Sequence, residues 1–324
     1  MIDAYMDFVA AIRPKLVLLE NVQGFASMPH SDGGCYPDHA RRRLSALGYE
    51  AWDTLLAASD WGVPQRRPRY ILIGAPKDSL PGINPIERLR VFRKSFLEGL
   101  GLGSSPVTAK EALYDLETRG KITVPDPEWG HSGFCALDYQ EPEHPTPYVR
   151  LMRDEANANL TDMRLARHSP EKVKMMSEVL ATCPKGRVIG VLDRERLGIR
   201  KRSTTPLDPD APSPTITTLP DDLIHYSEPR TMTVREHARL QSFPDWFSFH
   251  GRYTAGGLAR RTACPRYTQV GNAVPPLLGR ALGKILLSLL RDQKVVNFPD
   301  SLQIGQEMPP ERGKVMCSHD GVSV

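Results

Sequence analysis

The stretch LVLLENVQGF, residues 16 to 25, decides how this chain is read. Leu16, Val17, Leu18 and Leu19 run without a break into Glu20 and Asn21, with Pro14 before them and Gly24 after. A short apolar run bounded in this way predicts a strand buried on both faces, of the kind found in parallel sheets. It leaves open why such a strand ends in a carboxylate and an amide. Either the strand surfaces there and the polar pair is solvated, or the pair stands at the carboxyl end of a sheet strand, where open parallel sheets bind ligands. On the second reading Glu20 is a candidate acid or base.

Working outward, Ile2, Tyr5, Met6, Val9 and Ile12 share one face of a helix over residues 2 to 13, which Pro14 stops. A second helix is expected over residues 37 to 47, with Leu44 and Leu47 turned inward, and strands over 49 to 57 and 69 to 75. The last of these, RYILIGA, is again of the buried type. Helix, strand, helix, strand at this spacing predicts an α/β sheet. The character changes after Pro76. Residues 77 to 230 are rich in Pro and Gly and carry mixed charge. Only 107 to 117 and 169 to 181 look helical there, with a short strand at Thr215 to Leu219. Regular structure returns at Thr233, which forms a T-x-x-E capping box with Glu236; Pro244 lies just past that helix. A final helix is expected from Pro275 and Pro276, burying Leu277, Leu278, Ala281, Leu282, Ile285, Leu286, Leu289 and Leu290. The division this implies is residues 1–76 and 231–293 in one domain, 77–230 in a smaller irregular one, and a disordered tail over 294–324.

Composition is that of an ordinary globular protein, with 40% hydrophobic and 25% charged residues in 324. The formal charge of +4 is unevenly spread. Residues 77 to 149 hold 8 basic and 11 acidic side chains, 150 to 202 hold 13 and 7, and 251 to 291 hold 7 and none. Local basic excess of that size points to a polyanion, or else to a solvated basic face. Five cysteines without C-x-x-C spacing argue against a disulfide framework or a zinc site, so no metal is expected. No apolar run approaches a membrane span and no signal pattern opens the chain, which leaves a cytoplasmic protein as the default.

Four stretches carry chemistry: ENV at Glu20 to Val22, QRRPR at Gln65 to Arg69, TVREHARLQSFP at Thr233 to Pro244, and RYTQVGNAVPP at Arg266 to Pro276. Singly, each has a bland reading: a chance tripeptide, a solvated basic turn, a helix start. In this order, separated by a long insert, they resemble the DNA (cytosine-5) methyltransferases, over about residues 1 to 76 and 204 to 291. The resemblance implies a Rossmann-like methyltransferase sheet, present here in part, with 77–230 as target-recognition domain. It implies transfer of a methyl group from S-adenosylmethionine to C5 of cytosine in double-stranded DNA. Glu20 then matches the acid that protonates N3 of the flipped base, so that a cysteine thiolate attacks C6. Arg69 matches the arginine that contacts cytosine O2, and Arg67 is expected to brace the pocket or the bound DNA. Gly271, Asn272 and Val274 match the block that closes over the cofactor, although Asn272 is also placed to cap a helix. Arg260, Arg261 and Arg266, in the acid-free stretch, are expected to contact phosphates. Arg235, Glu236 and Arg239 are expected to make structural pairs.

Two of the family's blocks have no match. No glycine-rich F-x-G-x-G turn precedes ENV, and none of the five cysteines follows a proline, as the nucleophile should. Cys35, nearest to ENV, lies in a Gly-rich loop and is not read as a relocated nucleophile. The chain is therefore expected to be inactive alone, and to be either one subunit of a split enzyme or the product of a misassigned start, completed by a second polypeptide or N-terminal segment. Two alternatives remain: a non-catalytic DNA-binding remnant, and an RNA methyltransferase of the same fold.

Overall fold

The computed structural model describes residues 2–31, 33–128, 130–154, 160–254 and 263–294. The expected disordered tail, apart from residue 294, lies outside them. The N-terminal part is α1 (Ile2–Ile12), β1 (Val17–Val22), α2 (Tyr36–Ala46), β2 (Tyr49–Ala57) and β3 (Pro68–Pro76). Helix α1 buries Ile2, Met6 and Val9, but Ile12, at its end, faces solvent. The Tyr5 hydroxyl donates to Leu18 O at 2.9 Å and the Tyr49 hydroxyl to Pro14 O at 2.7 Å, fixing the helix and the turn after it to the strands. Helix α2 starts with a reciprocal cap between Cys35 and Asp38 and with Pro37 in its first turn.

The three strands form one sheet in the order β1-β3-β2, and both neighbours of β3 are antiparallel to it. This corrects the parallel arrangement expected from LVLLE. The strand buried on both faces is β3. Its Ile71, Ile73 and Ala75 enter one core while Tyr70 and Leu72 enter another on the opposite face, which is why RYILIGA reads as an unbroken apolar run. Strand β1 is an edge strand with only Val17 fully buried. The layered helix-and-sheet arrangement is α/β, as expected.

Beyond the sheet come α3 (Pro85–Glu98), α4 (Ala109–Leu113), a ribbon of β4 (Thr123–Pro125) and β5 (Cys135–Leu137), α5 (Pro147–Arg153), α6 (Pro170–Thr182) and α7 (Val191–Arg196). A two-residue parallel pair, β6 (Thr205–Pro206) with β7 (Leu223–Ile224), precedes α8 (Val234–Leu240), α9 (Arg266–Asn272) and α10 (Pro276–Asp292). Thr215 to Leu219 is not a strand. It is an extended segment tied to the turn before β3 through a Gln65–Ser213 bridge and Ile216 N donating to Gln65 Oε1 at 3.0 Å.

Helix α3 was not foreseen, although Asn84 caps it through Ile86 N and Glu87 N and Pro85 opens it. It matters because it covers α10. Arg88 reaches Ser288 and Asp292, and Lys284 lies over the Phe96 ring. Leu277, Leu278, Ala281, Leu282, Ile285 and Leu289 are buried as expected; Leu290 is exposed. The run Arg266–Asp292 is long and apolar enough to cross a membrane by length and composition alone, but its apolar side chains join the main core. That core is continuous from Trp61 and Ile73 through Leu113, Tyr148 and Leu240 to Leu278, and so crosses the boundaries at residues 76 and 230.

Candidate active site

The β1–β3 register sets the first contact. Glu20 stands opposite Ile71 and Arg69 opposite Val22, so Glu20 and Arg69 are diagonal neighbours on one face. Arg69 Nε lies 2.8 Å from Glu20 Oε1, and Arg69 Nη1 donates to Pro68 O at 2.9 Å. Burial lowers the Arg69 pKa, and the Glu20 carboxylate works against that shift.

Arg67 lies deeper, with a backbone φ of 29°. Its Nη2 donates to Gly271 O at 2.8 Å and Ala273 O at 3.0 Å, and its Nη1 to Ile216 O at 3.3 Å, while its Nε is buried without a partner. Burial and the Arg69 charge pull its pKa down to about 10. With three carbonyls on its two Nη atoms, Arg67 is a clasp between the QRRPR turn, the Thr215–Thr218 segment and the end of α9.

Two glutamines that sequence reading passed over complete the clasp. Gln65 Nε2 donates to Leu240 O at 3.1 Å and to Gln241 Oε1 at 2.5 Å. Gln241 Nε2 in turn donates to Val270 O at 3.2 Å and Ala273 O at 2.7 Å. Both side chains are fully buried, so these amides hold three motif blocks in one register. Their signal was present: each sits in a block already singled out for its arginines.

Gly271 presses on the same seam. A Cβ there would lie 2.4 Å from Thr217 O, so the close approach it permits is to the Thr217 backbone. Asn272 ends α9 and is exposed; Pro275, not Asn272, stands at the N-cap of α10. Val274 is exposed between the two helices. Together Val22, Gly24, Arg67, Arg69, Thr217 and Asn272 border an open cleft of about 510 Å³.

Arg260 and Arg261 lie outside the described residues. Arg266 is buried and spent: Nη1 meets Asp162 Oδ1 at 2.8 Å and Nη2 meets Glu128 Oε2 at 2.5 Å. The acid-free run in sequence is therefore not acid-free in space, and this guanidinium is not presented to a phosphate. Arg235, Glu236 and Arg239 are all fully buried in ion pairs. Arg239 grips Asp115 and Asp245, Arg235 reaches Thr161 O and Phe247 O, and Glu236 accepts from Arg230 at 2.7 and 2.8 Å.

The Cys35 thiol donates to Asp38 Oδ2 at 2.9 Å as part of the α2 cap. Although no metal was expected, Asp3, His30 and His39 bring their donor atoms within 4.8 Å of one another, with His39 Nε2 2.7 Å from Asp3 Oδ1.

The carboxylate–arginine pair at the sheet edge is thus clasped to the glycine–asparagine end of α9 beside the open cleft. The family described as C-5 cytosine-specific DNA methylase matches residues 1–288, and the chain belongs to that family. Its methyl donor is S-adenosylmethionine. The chain is 29% identical to the type II methyltransferase M.AgeI of Thalassovita gelatinovora, covering 87% of this chain and 75% of that protein. It is 28% identical to the type II methyltransferase M.DdeI of Desulfomicrobium norvegicum, covering 90% and 68%. A prophage-encoded Escherichia coli protein described as a DNA modification methyltransferase superposes with a TM-score of 0.58 at 25% identity, covering 90% of this chain and 74% of that one.

Proposed function

We propose that the chain forms the base-binding and DNA-recognition part of a cytosine-5 methyltransferase acting on duplex DNA in the cytoplasm of a bacterium. The observation that carries this is the Glu20–Arg69 pair beside the open cleft. Glu20 holds the proton delivered to N3 of an extruded cytosine, and Arg69 gives its remaining donors to O2. Extrusion is what makes a ring atom reachable, since a paired base is covered on both faces. Arg67 braces the pocket through its three carbonyl partners. Phosphate contact is proposed for Arg260 and Arg261.

S-adenosylmethionine supplies the methyl group when bound. The residues present fit one flank of it. The Asn272 side chain makes no hydrogen bond among the described residues, and Val274 offers an exposed apolar surface beside it. Those two residues would bind and orient the donor.

The nucleophile is proposed to come from a further segment or a second polypeptide. Two observations support this. Cys35 is occupied by its cap bond to Asp38, and the outer edge of β1 pairs with no strand among the described residues. An open edge is a template for another strand. The test is co-expression with a polypeptide carrying a Pro-Cys loop and a glycine-rich turn, followed by tritium transfer from labelled S-adenosylmethionine to DNA. Transfer by the pair and none by the single chain is expected. Full activity of the single chain would overturn the division of labour.

A further inference from the structure

Arg164 is held in a way that sets it apart from the arginines around it. A bridge joins it to Ala136, and Leu165 N donates to Cys135 O at 2.8 Å, so this segment lies along the β4–β5 ribbon. Its guanidinium carbon is 3.6 Å from the centre of the Tyr253 ring and 4.3 Å from that of Phe134. The neighbouring arginines are all engaged by oxygen: Arg266 by Asp162, Arg167 by Ser132 O, Arg153 by Glu141. The Arg164 side chain makes no hydrogen bond or ion pair among the described residues. The polar atoms sealed in the interior without partners include two of Arg153 but none of Arg164, so its donors reach solvent.

Aromatic faces hold a guanidinium by attraction to the ring, but they offer no lone pair in its plane. The five N–H donors are thus fixed in orientation and unspent. Two acceptors suit such a fork: a phosphate, or the O6 and N7 edge of guanine. The surroundings separate them. Asp126, Glu128 and Asp162 line the adjoining cavity of about 570 Å³, which Tyr253 also borders. Arg266 offsets one charge of Glu128 and Asp162, and Arg153 that of Glu141, but Asp126 and Asp138 keep the lining net acidic, which disfavours a phosphate, whereas a base edge carries no net charge. A two-stranded ribbon is also a shape the major groove admits.

We propose that Arg164 reads a guanine in the target sequence through its in-plane donors. The proposal rests on the reading of the chain as a DNA-recognising protein. The test is selection by the full chain from a pool of duplexes with randomised positions around a fixed cytosine, asking for binding and not for transfer. Wild type should enrich a sequence containing guanine. Arg164→Ala and Arg164→Lys should both lose preference at one G·C position, by roughly 5- to 150-fold, and keep it elsewhere. Arg164→Lys retains the charge, so equal affinity with relaxed preference marks base reading. Uniform weakening of every sequence, with a salt slope smaller by about one, would assign a phosphate contact and overturn the proposal. An unchanged preference in both variants overturns it as well. If wild type enriches no sequence, the DNA-recognition reading fails and this proposal with it. Thermal unfolding of each variant shows whether any loss is one of folding.

Discussion

Arg69 Nε lies 2.8 Å from Glu20 Oε1 across the β1–β3 pairing, and the two residues come from motifs 49 positions apart. Neither motif alone specifies the contact. The antiparallel register creates it, because it puts both side chains on one face, two residues apart along the ladder.

That contact makes the role of Glu20 testable. Glutamine keeps the shape and leaves Arg69 a hydrogen-bond acceptor, but has no acidic proton to deliver. In an assembly that supplies the nucleophile, Glu20→Gln should slow methyl transfer on the order of 10²–10⁴-fold while duplex affinity changes little. Single-turnover labelling checks this; near-normal rates would remove Glu20 from the acid role.

Arg239 makes a stability prediction. It is fully buried against Asp115 and Asp245. Arg239→Met fills much of the volume but strands two carboxylates away from water, at a cost of about 3–5 kcal/mol. Urea unfolding should show a lower midpoint, and a loss under 1 kcal/mol would mean the pairs contribute little.

Gly271→Ala tests the seam beneath the cleft. The added methyl would overlap Thr217 O and the Thr217 carbonyl carbon, both backbone atoms that cannot rotate away. The expected cost is about 1–3 kcal/mol. Hydrogen exchange should rise at Ile216, whose amide is tied to Gln65 across this seam. An unperturbed melt with unchanged exchange would show that the seam is slack.

Acid should weaken the fold before the carboxylates titrate. His225 and His237 are buried, and desolvation lowers the pKa of both, as it does for half-buried His168. Unfolded histidines take up protons near pH 6.5, so the unfolded state binds more protons than the native one just below that pH. Stability is therefore full above pH 6.5 and falls as pH drops below it. Glu236, held down to about 2 chiefly by Arg230 against the cost of burial, adds a second loss between about pH 4.5 and 2. Urea midpoints at pH 7.5, 6.5 and 5.5 measure the first slope, and His225→Gln should flatten it. A flat wild-type profile over that range would contradict the histidine contribution.

Local signals in the sequence set local structure here. Periodicity placed α1, α2 and β2, and the Thr233–Glu236 cap fixed the start of α8, because spacing along the chain dictates which side chains share a face. The four motif blocks and the family they indicate were equally legible. What the sequence left undetermined lies between distant residues. Strand direction followed from the pairing of β3 between β1 and β2, which joins residues about 50 and 20 positions apart and leaves no local signal. The cover for α10 came from α3, nearly 200 residues earlier, whose Asn84–Pro85 start follows Pro81 and Gly82 in a stretch that reads as loop. Gln65 and Gln241 became a joint only on meeting across 176 positions, and Arg266 met Asp162 across 104, turning an acid-free run into a buried pair. A side chain's chemistry is written in the sequence; its partner is decided by packing, because burial forces every polar group to find whatever the fold has brought beside it.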